Sequence, residues 1–110
     1  MARPIVVMGA GAWGTALAIL LARNGQPVWL WARDPQQISE LSAARYNARS
    51  LPHIPFPPAL QLTSDLSRAL AMEADVLVAV SSIGFRTALQ SVARHSKSPV
   101  RLAWATEGWE

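Results

Sequence analysis

The feature that most constrains this chain is a glycine-rich hexapeptide near its amino terminus, Gly9-Ala10-Gly11-Ala12-Trp13-Gly14. A short apolar run, Ile5–Met8, precedes it, and an Ala- and Leu-rich stretch, residues 15–24, follows it. The apolar run is typical of a strand that is buried on both faces of a sheet, and alanine and leucine are strong helix formers. The sequence therefore predicts a strand, a glycine turn and a helix at the start of the fold.

The three glycines have the spacing G-x-G-x-x-G, and each has a physical task at such a turn. Gly9 permits the tight turn off the strand, Gly11 lets a ligand approach the backbone without a Cβ in the way, and Gly14 lets helix and strand pack closely. The free N–H groups at the start of the helix attract phosphate. The hexapeptide therefore predicts a site for the pyrophosphate of NAD or NADP. The alternative is that the glycines only shape a tight turn.

The rest of the chain continues the alternation of strand and helix. Apolar runs predict strands at residues 28–32, 60–63, 76–80 and 100–105. Asp34 followed by Pro35 predicts the capped start of one helix, and Ser64 predicts the start of a shorter one. Residues 51–58 contain four prolines, which predict an extended loop. Phe85, Leu89 and Val92 share one face of a further helix at helical spacing.

This alternation predicts the fold class. Repeated βα units give a parallel sheet with helices on both faces. We therefore expect an α/β, Rossmann-type doubly wound parallel sheet, formed as a single domain over residues 1–110.

Composition and charge exclude several classes of function. Of the 110 residues, 51% are hydrophobic, which is too many for a disordered tail. Because the chain has no cysteine, it has no disulfide, thiolate metal site or cysteine nucleophile. The net charge is +3, but the basic residues are scattered, so we expect no nucleic-acid partner. No cluster of His, Asp and Glu predicts a metal, and glycines interrupt the uncharged residues 4–22, which argues against a membrane span.

The end of the second predicted strand bears on the choice of cofactor. NAD enzymes place an acidic residue there for the ribose hydroxyl, whereas NADP enzymes place an arginine nearby for the 2′-phosphate. Arg33 occupies this region, while Asp34 is better used as a helix cap. We therefore favour NADP over NAD, and the alternative for Arg33 is a solvated surface position. For Trp13, cofactor contact and hydrophobic packing are equally good interpretations.

Taken together, these motifs make the chain resemble the N-terminal domain of bacterial NAD(P)-dependent sn-glycerol-3-phosphate dehydrogenase. The resemblance covers nearly the whole chain in order. The matching stretches are residues 9–18 and 30–34, Asn47 with Leu51 and Pro52, residues 55–57 with Leu60, Thr63, Asp65, Leu66, Ala69, Ala74, Asp75, residues 80–82, Phe85, Arg86, residues 104–106 and Gly108.

The resemblance implies an enzyme that interconverts dihydroxyacetone phosphate and glycerol 3-phosphate by hydride transfer. It implies a bacterial cytoplasmic location and a place in phospholipid synthesis. The cofactor contacts that it implies, besides the glycines, are Ala12, Trp13, Arg33, Ser81, Ser82 and Phe85.

Three departures from the family's pattern shape our expectations. Ser81 stands where the family usually has proline, and Glu107 replaces a lysine that the family is expected to place at the substrate. The family's second, helical domain, which carries the catalytic lysine, would begin beyond Glu110. We therefore expect this chain to bind cofactor without turnover and to contain no catalytic residue. Exposed apolar surface around Trp104 and Trp109 predicts self-association.

Two other hypotheses stay open at this point. The chain could be the NAD(P) domain of another 6-phosphogluconate dehydrogenase-like oxidoreductase, such as a ketopantoate reductase-like protein. Residues 51–57 and 104–106 favour the first interpretation over this one. The chain could also be a non-catalytic nucleotide-binding module, for which Glu107 and the lack of a suitable lysine are the evidence.

Overall fold

A computed structural model describes residues 3–49, 51–71, 73–80, 82–96 and 100–105. Strands and helices alternate along most of this length. In chain order the elements are β1 (Ile5–Met8), α1 (Ala12–Arg23), β2 (Val28–Trp31), α2 (Pro35–Ala44), β3 (Tyr46–Asn47), β4 (Leu51–Pro55), β5 (Leu60–Thr63), α3 (Leu66–Ala69), β6 (Asp75–Val78), α4 (Ser82–His95) and β7 (Arg101–Trp104).

Five strands form one parallel sheet in the order β5-β2-β1-β6-β7. From β1 the chain moves outward to β2 and β5, and it then returns to place β6 and β7 on the other side of β1. The point where the strand order reverses lies between β1 and β6, and in open α/β sheets ligands bind at the carboxyl ends of the strands there. The predicted Rossmann-type α/β fold is confirmed.

Helices cover the two faces of this sheet, and alternate residues of β1 pack against the two helix layers. Val7 packs into a cluster with residues of α1 and α2, whereas Val6 and Met8 pack with residues of α3 and α4. All three side chains are fully buried. Burying a side chain of this size stabilises the fold by about 1.5–3 kcal/mol. The alternation along β1 thus anchors two separate layers to the central strand.

The helix starts are partly as predicted. The carboxylate of Asp34 accepts a hydrogen bond from the N–H of Gln36 at 2.9 Å and caps α2, with Pro35 at its first position. The prediction for Ser64 is wrong, because α3 begins one residue later. Its cap is Asp65, whose side chain accepts from the N–H of Arg68 at 3.3 Å.

The prediction that residues 51–58 form only a loop is also wrong. Leu51–Pro55 is the strand β4, which pairs antiparallel with β3 in a separate two-stranded sheet. Both strands of such a sheet are edge strands, where a proline without an N–H is tolerated. The partner strand of β4, Tyr46–Asn47, is only two residues long and has no alternating pattern from which a strand could be predicted.

An ion-pair network joins the strands at the opposite, amino-terminal edge of the sheet. Arg101 of β7 lies directly across from Asp75 of β6, and two of its nitrogens donate to the two carboxylate oxygens at 2.8 Å. The Nε of Arg3 lies 3.2 Å from Oδ1 of the same carboxylate. The hydrogen bond from Arg101, with the charge of Arg3 added, lowers the pKa of Asp75 although its partial burial acts in the other direction.

This network predicts a pH-dependent effect of Asp75→Asn on stability. Because the pKa of Asp75 is lowered on folding, its stabilising contribution is present above the ordinary carboxyl pKa and is lost as the pH falls through the folded value. We expect the variant to unfold at lower denaturant concentration than wild type near neutral pH. The difference should begin to shrink as the pH falls below about 4, and it should vanish only below the lowered pKa of the folded protein, as measured by urea unfolding across the pH range.

The matched control is Glu73→Gln. Glu73 lies 3.6 Å from Arg3 with an exposed side chain, so it should contribute little. A pH-independent loss of stability in Asp75→Asn, or an equal loss in Glu73→Gln, would contradict the assignment.

Candidate cofactor site

The turn between β1 and α1 requires glycine at two of its three glycine positions. Gly9 has a φ of +118°, and a Cβ at this position would come within 2.8 Å of the carbonyl oxygen of Ala79. A Cβ at Gly14 would overlap the carbonyl oxygen of Gly9. Gly9 and Gly14 are therefore explained by the fold itself, as a tight turn and a close approach of helix to strand.

Gly11 is different, because nothing in the fold requires it to be glycine. Its φ of −75° is open to any residue, and a Cβ added there would meet no atom within 4 Å. The residue is exposed and stands at the N-cap of α1. Among the three glycines of the motif, Gly11 is thus the one that packing does not explain, and the space above its backbone is free.

The amino terminus of α1 offers hydrogen-bond donors to this space. Gly11 makes no side-chain cap, and the first N–H groups of a helix have no acceptor within it. The helix dipole adds a partial positive charge at the same end. No acidic residue lies in the first turn of α1, so no carboxylate competes for these donors from within the helix. An anionic group of phosphate type fits this arrangement.

A cleft of about 410 Å³ lies at the carboxyl ends of the central strands, beside the glycine turn. One wall comes from the turn after β1 and the end of β2, and the other comes from the residues after β6 and from α4. The lining residues are Gly9, Ala10, Trp31, Ala32, Arg33, Gln37, Val80, Gly84, Thr87, Ala88 and Ser91.

Arg33 is the charged residue at this cleft. Its side chain is exposed, and among the residues that the structure describes no carboxylate forms an ion pair with it. The neighbouring Asp34 accepts the N–H of Gln36 and is held as the cap of α2. The acidic group that would suit a ribose hydroxyl is therefore engaged elsewhere, and a guanidinium suited to phosphate stands at the cleft.

Three aromatic side chains, those of Trp13, Phe85 and Trp104, make contacts at the carboxyl end of β7. Trp13 is 40% exposed, and its indole Nε1 donates to the carbonyl oxygen of Ala105 at 3.0 Å. Phe85 stacks on Trp104, with ring centroids 4.4 Å apart. Trp13 belongs to neither buried cluster, so it does not fill the core, and its indole joins the first turn of α1 to the residue that follows β7.

Several residues singled out in the sequence lie elsewhere. Ser81 and Glu107 are outside the described residues, and of Ser82 only its place as the first residue of α4 is given. His95 ends α4, where its Nδ1 lies 2.9 Å from the carbonyl oxygen of Ser91, and it does not line the cleft; His53 is exposed on β4. Within the described part of the chain no group of His, Asp and Glu could hold a metal ion. No helix there is long and apolar enough to cross a membrane.

Sequence reasoning missed the role of Asn47, which entered it only as one matching residue of the resemblance. The side chain is 4% exposed, and its Nδ2 donates to the carbonyl oxygen of Ala10 at 3.3 Å and to the hydroxyl of Thr15 at 3.1 Å. Both partners are more than 30 positions away in the chain. No local pattern could have revealed contacts at that separation.

Comparisons with known proteins identify the family of the chain. A family model described as the N-terminus of NAD-dependent glycerol-3-phosphate dehydrogenase matches residues 4–110. Glycerol-3-phosphate dehydrogenase [NAD(P)+] of Nitrosococcus oceani is 54% identical over 105 residues, and that of Edwardsiella ictaluri is 52% identical over 106 residues. Each alignment covers 96% of this chain but only 30% and 31% of the respective relative.

A solved structure supports the same relationship. The crystal structure of glycerol-3-phosphate dehydrogenase from Coxiella burnetii superposes with a TM-score of 0.90 at 39% identity, over 97% of this chain and 33% of that one. The chain thus spans about a third of the length of the relatives that it matches. On the strength of the family model and of these relatives, the chain belongs to the family of N-terminal, NAD(P)-binding domains of glycerol-3-phosphate dehydrogenase.

Proposed function

We propose that this chain is the cofactor-binding part of a glycerol-3-phosphate dehydrogenase and that it holds NADP(H) or NAD(H) at the carboxyl edge of its sheet. The observation that carries the proposal is the free space above Gly11, next to the first N–H groups of α1, which have no acceptor within the helix. A turn built only for folding would have no reason to keep glycine there. The family relationship independently implies the same cofactor.

We propose roles for the residues along the carboxyl edge of the sheet in holding the dinucleotide. We assign the pyrophosphate to the backbone at Gly11, Ala12 and Trp13, and the adenosine end to the cleft beside Arg33. The nicotinamide end would then face the aromatic residues at the end of β7, near Phe85. Ser81 and Ser82 stay proposed contacts on the strength of the resemblance. The cofactor supplies or accepts the hydride, and the protein's task here is to bind and orient it.

Arg33 predicts a preference for NADP, tested with Arg33→Ala. Losing a charge-assisted contact to the 2′-phosphate should weaken NADP⁺ binding by on the order of ten- to a hundredfold and leave NAD⁺ binding nearly unchanged. Isothermal titration of both cofactors gives the two affinities directly. Arg49→Ala is the matched control, because Arg49 is also exposed but lines a neighbouring recess between α2 and β3 and not the cleft itself. An unchanged NADP⁺-to-NAD⁺ affinity ratio in Arg33→Ala would remove Arg33 from the site.

The activity of the longer protein is part of the same proposal. We propose that residues 1–110 form one NAD(P)-binding domain and that a helical domain beyond them supplies the catalytic lysine and the pocket for a phosphorylated three-carbon substrate. The relatives, which are about three times as long, carry the name of that activity. A cytoplasmic location and a place in phospholipid synthesis are proposed on the resemblance to the bacterial family.

The isolated 110-residue chain should therefore bind cofactor without catalysing the reaction. Reducing a ketone needs an acid or electrophile at the developing alkoxide as well as a hydride donor. We expect no NADPH oxidation that depends on dihydroxyacetone phosphate, either for wild type or for Glu107→Lys. The assay is loss of NADPH absorbance with purified chain, and a full-length relative is the positive control. Turnover above background, with contaminating enzyme excluded by mass spectrometry, would show that the chain contains an acid that we have not identified.

Self-association of the chain is a further proposal, supported by the exposure of β7. All four residues of this edge strand are exposed, and Trp104 is 60% exposed. An apolar recess of about 310 Å³ adjoins it, where Ile5, Leu21 and Leu77 lie beside Leu102. Uncovered apolar surface of this kind drives association. Analytical ultracentrifugation should show dimers or larger species that shift toward monomer in Trp104→Ser, whereas a monomer at high concentration would contradict the proposal.

The family match excludes one alternative, that the chain belongs to another oxidoreductase of the 6-phosphogluconate dehydrogenase type. A non-catalytic nucleotide-binding role for the chain is compatible with the same cleft. The absence of turnover would not distinguish this role from that of the proposed domain. Activity that returns when the chain is joined to the remainder of a relative would distinguish them, in favour of the proposed domain.

A further inference from the structure

The segment that interrupts the βα alternation, the hairpin of β3 and β4, reaches under the glycine turn. Its base is fixed where α2 ends: Arg45 has a φ of 61°, its carbonyl oxygen accepts the N–H of Phe56 at 2.7 Å, and its Nη2 donates to the carbonyl oxygen of Pro57 at 2.9 Å. Phe56 is buried in the cluster beneath α1. The hairpin is therefore a braced structure rather than a loose connection.

The hairpin positions the side chain of Asn47 at the glycine turn. Its amide nitrogen donates to the carbonyl oxygen of Ala10 at 3.3 Å, and its Oδ1 accepts the N–H of Arg49 at 3.2 Å. Thr15, which is fully buried in the first turns of α1, donates its hydroxyl to the same carbonyl oxygen at 3.3 Å. The hydroxyl in turn accepts from Asn47 at 3.1 Å. Two buried side chains therefore converge on one backbone carbonyl in the middle of the motif.

The orientation of that carbonyl decides where the next N–H points. A peptide bond is planar and trans, so the C=O of Ala10 and the N–H of Gly11 point in opposite directions. Because Asn47 and Thr15 bind the carbonyl from the protein interior, the N–H of Gly11 points away from these two buried side chains. The position of a Cβ on the same residue is also open, with no atom within 4 Å. An unrestrained turn would let this peptide rotate.

We propose that Asn47 is a positioning residue for the cofactor: through the carbonyl of Ala10 it fixes the Ala10–Gly11 peptide with its N–H toward the pyrophosphate. The inference rests on the proposed function. It also explains the hairpin, which places a hydrogen-bond donor beneath the phosphate-binding turn. Asn47 does not itself touch the ligand, so its effect should be confined to ligands that have a phosphate at the turn.

The test measures how Asn47→Ala changes the affinity of the chain for two ligands. NADP⁺ has a pyrophosphate at the turn, whereas adenosine 2′-monophosphate keeps the adenosine and the 2′-phosphate but has no group to place there. We expect Asn47→Ala to weaken NADP⁺ binding by about tenfold and to change adenosine 2′-monophosphate binding by less than about twofold. Both affinities are measured by titration well below the unfolding midpoint of each variant. A merely structural role would weaken both ligands together.

Arg45→Ala is the matched control, because it removes the side-chain hydrogen bond to Pro57 and the guanidinium contact with Phe56 at the base of the same hairpin, and neither contact involves the glycine turn. It should lower the unfolding temperature and leave the ratio of the two affinities unchanged. Should Asn47→Ala fail to fold, Thr15→Val removes the other donor to Ala10 at nearly constant shape, and Thr15→Ser should restore wild-type binding.

The outcomes separate the two proposals. If the wild-type chain binds neither NADP⁺ nor NAD⁺, the proposed function fails. If wild type binds NADP⁺ but Asn47→Ala and Thr15→Val bind it equally well, or if both variants lose the two ligands in equal measure, the inference about Asn47 fails alone.

Discussion

At the junction of β1 and α1, the helix approaches the strand so closely that Gly14 lies against the carbonyl oxygen of Gly9. No side chain fits between them, and the left-handed backbone of Gly9 completes the turn. This contact sets the direction of α1 against the sheet. Its amino terminus consequently opens at the carboxyl edge, beside the reversal point between β1 and β6. A Cβ at Gly14 would displace the helix and its free N–H groups together.

The three glycines of the motif thus divide into two kinds. Gly9 and Gly14 serve the fold, because a Cβ at either would meet backbone atoms. Gly11 serves no packing purpose, and its missing side chain leaves room for a ligand. Beneath the turn, the buried amide of Asn47 and the hydroxyl of Thr15 restrain the peptide between Ala10 and Gly11. The turn is therefore supported by hydrogen bonds from below and open from above, an arrangement that suits the proposed binding of an anion by backbone N–H groups.

The sequence predicted the elements whose signals are local. The apolar strands, the helix after the glycine turn and the capped start of α2 at Asp34 were all readable, because each depends on residues within a few positions. Ser64 and Asp65 are both good caps, and only the course of the chain after β5 decides between them. The structure selects Asp65 and uses the backbone carbonyl of Ser64 to accept the indole N–H of Trp31 at 3.2 Å.

The signals that failed are those that depend on distant partners. The prolines of residues 51–58 indicate extended backbone, but whether that backbone pairs depends on the short strand Tyr46–Asn47. The position of Asn47 under the glycine turn depends on two further elements, α1 and the hairpin. In the candidate site, the glycine spacing and Arg33 were visible in the sequence because they belong to a recurring local motif. The support beneath them was not visible, because it is tertiary.

The most direct test of this account is the contrast between Gly11→Val and Gly14→Ala, each measured for folding and for NADP⁺ binding. The account predicts that Gly11→Val folds with a circular dichroism spectrum and unfolding temperature close to those of wild type but does not bind NADP⁺, because its side chain fills the free space. Gly14→Ala should instead lose stability severely, because its methyl group meets the carbonyl of Gly9. A folded Gly11→Val that binds NADP⁺ with wild-type affinity would show that the glycine turn is only a turn, and it would contradict the central claim.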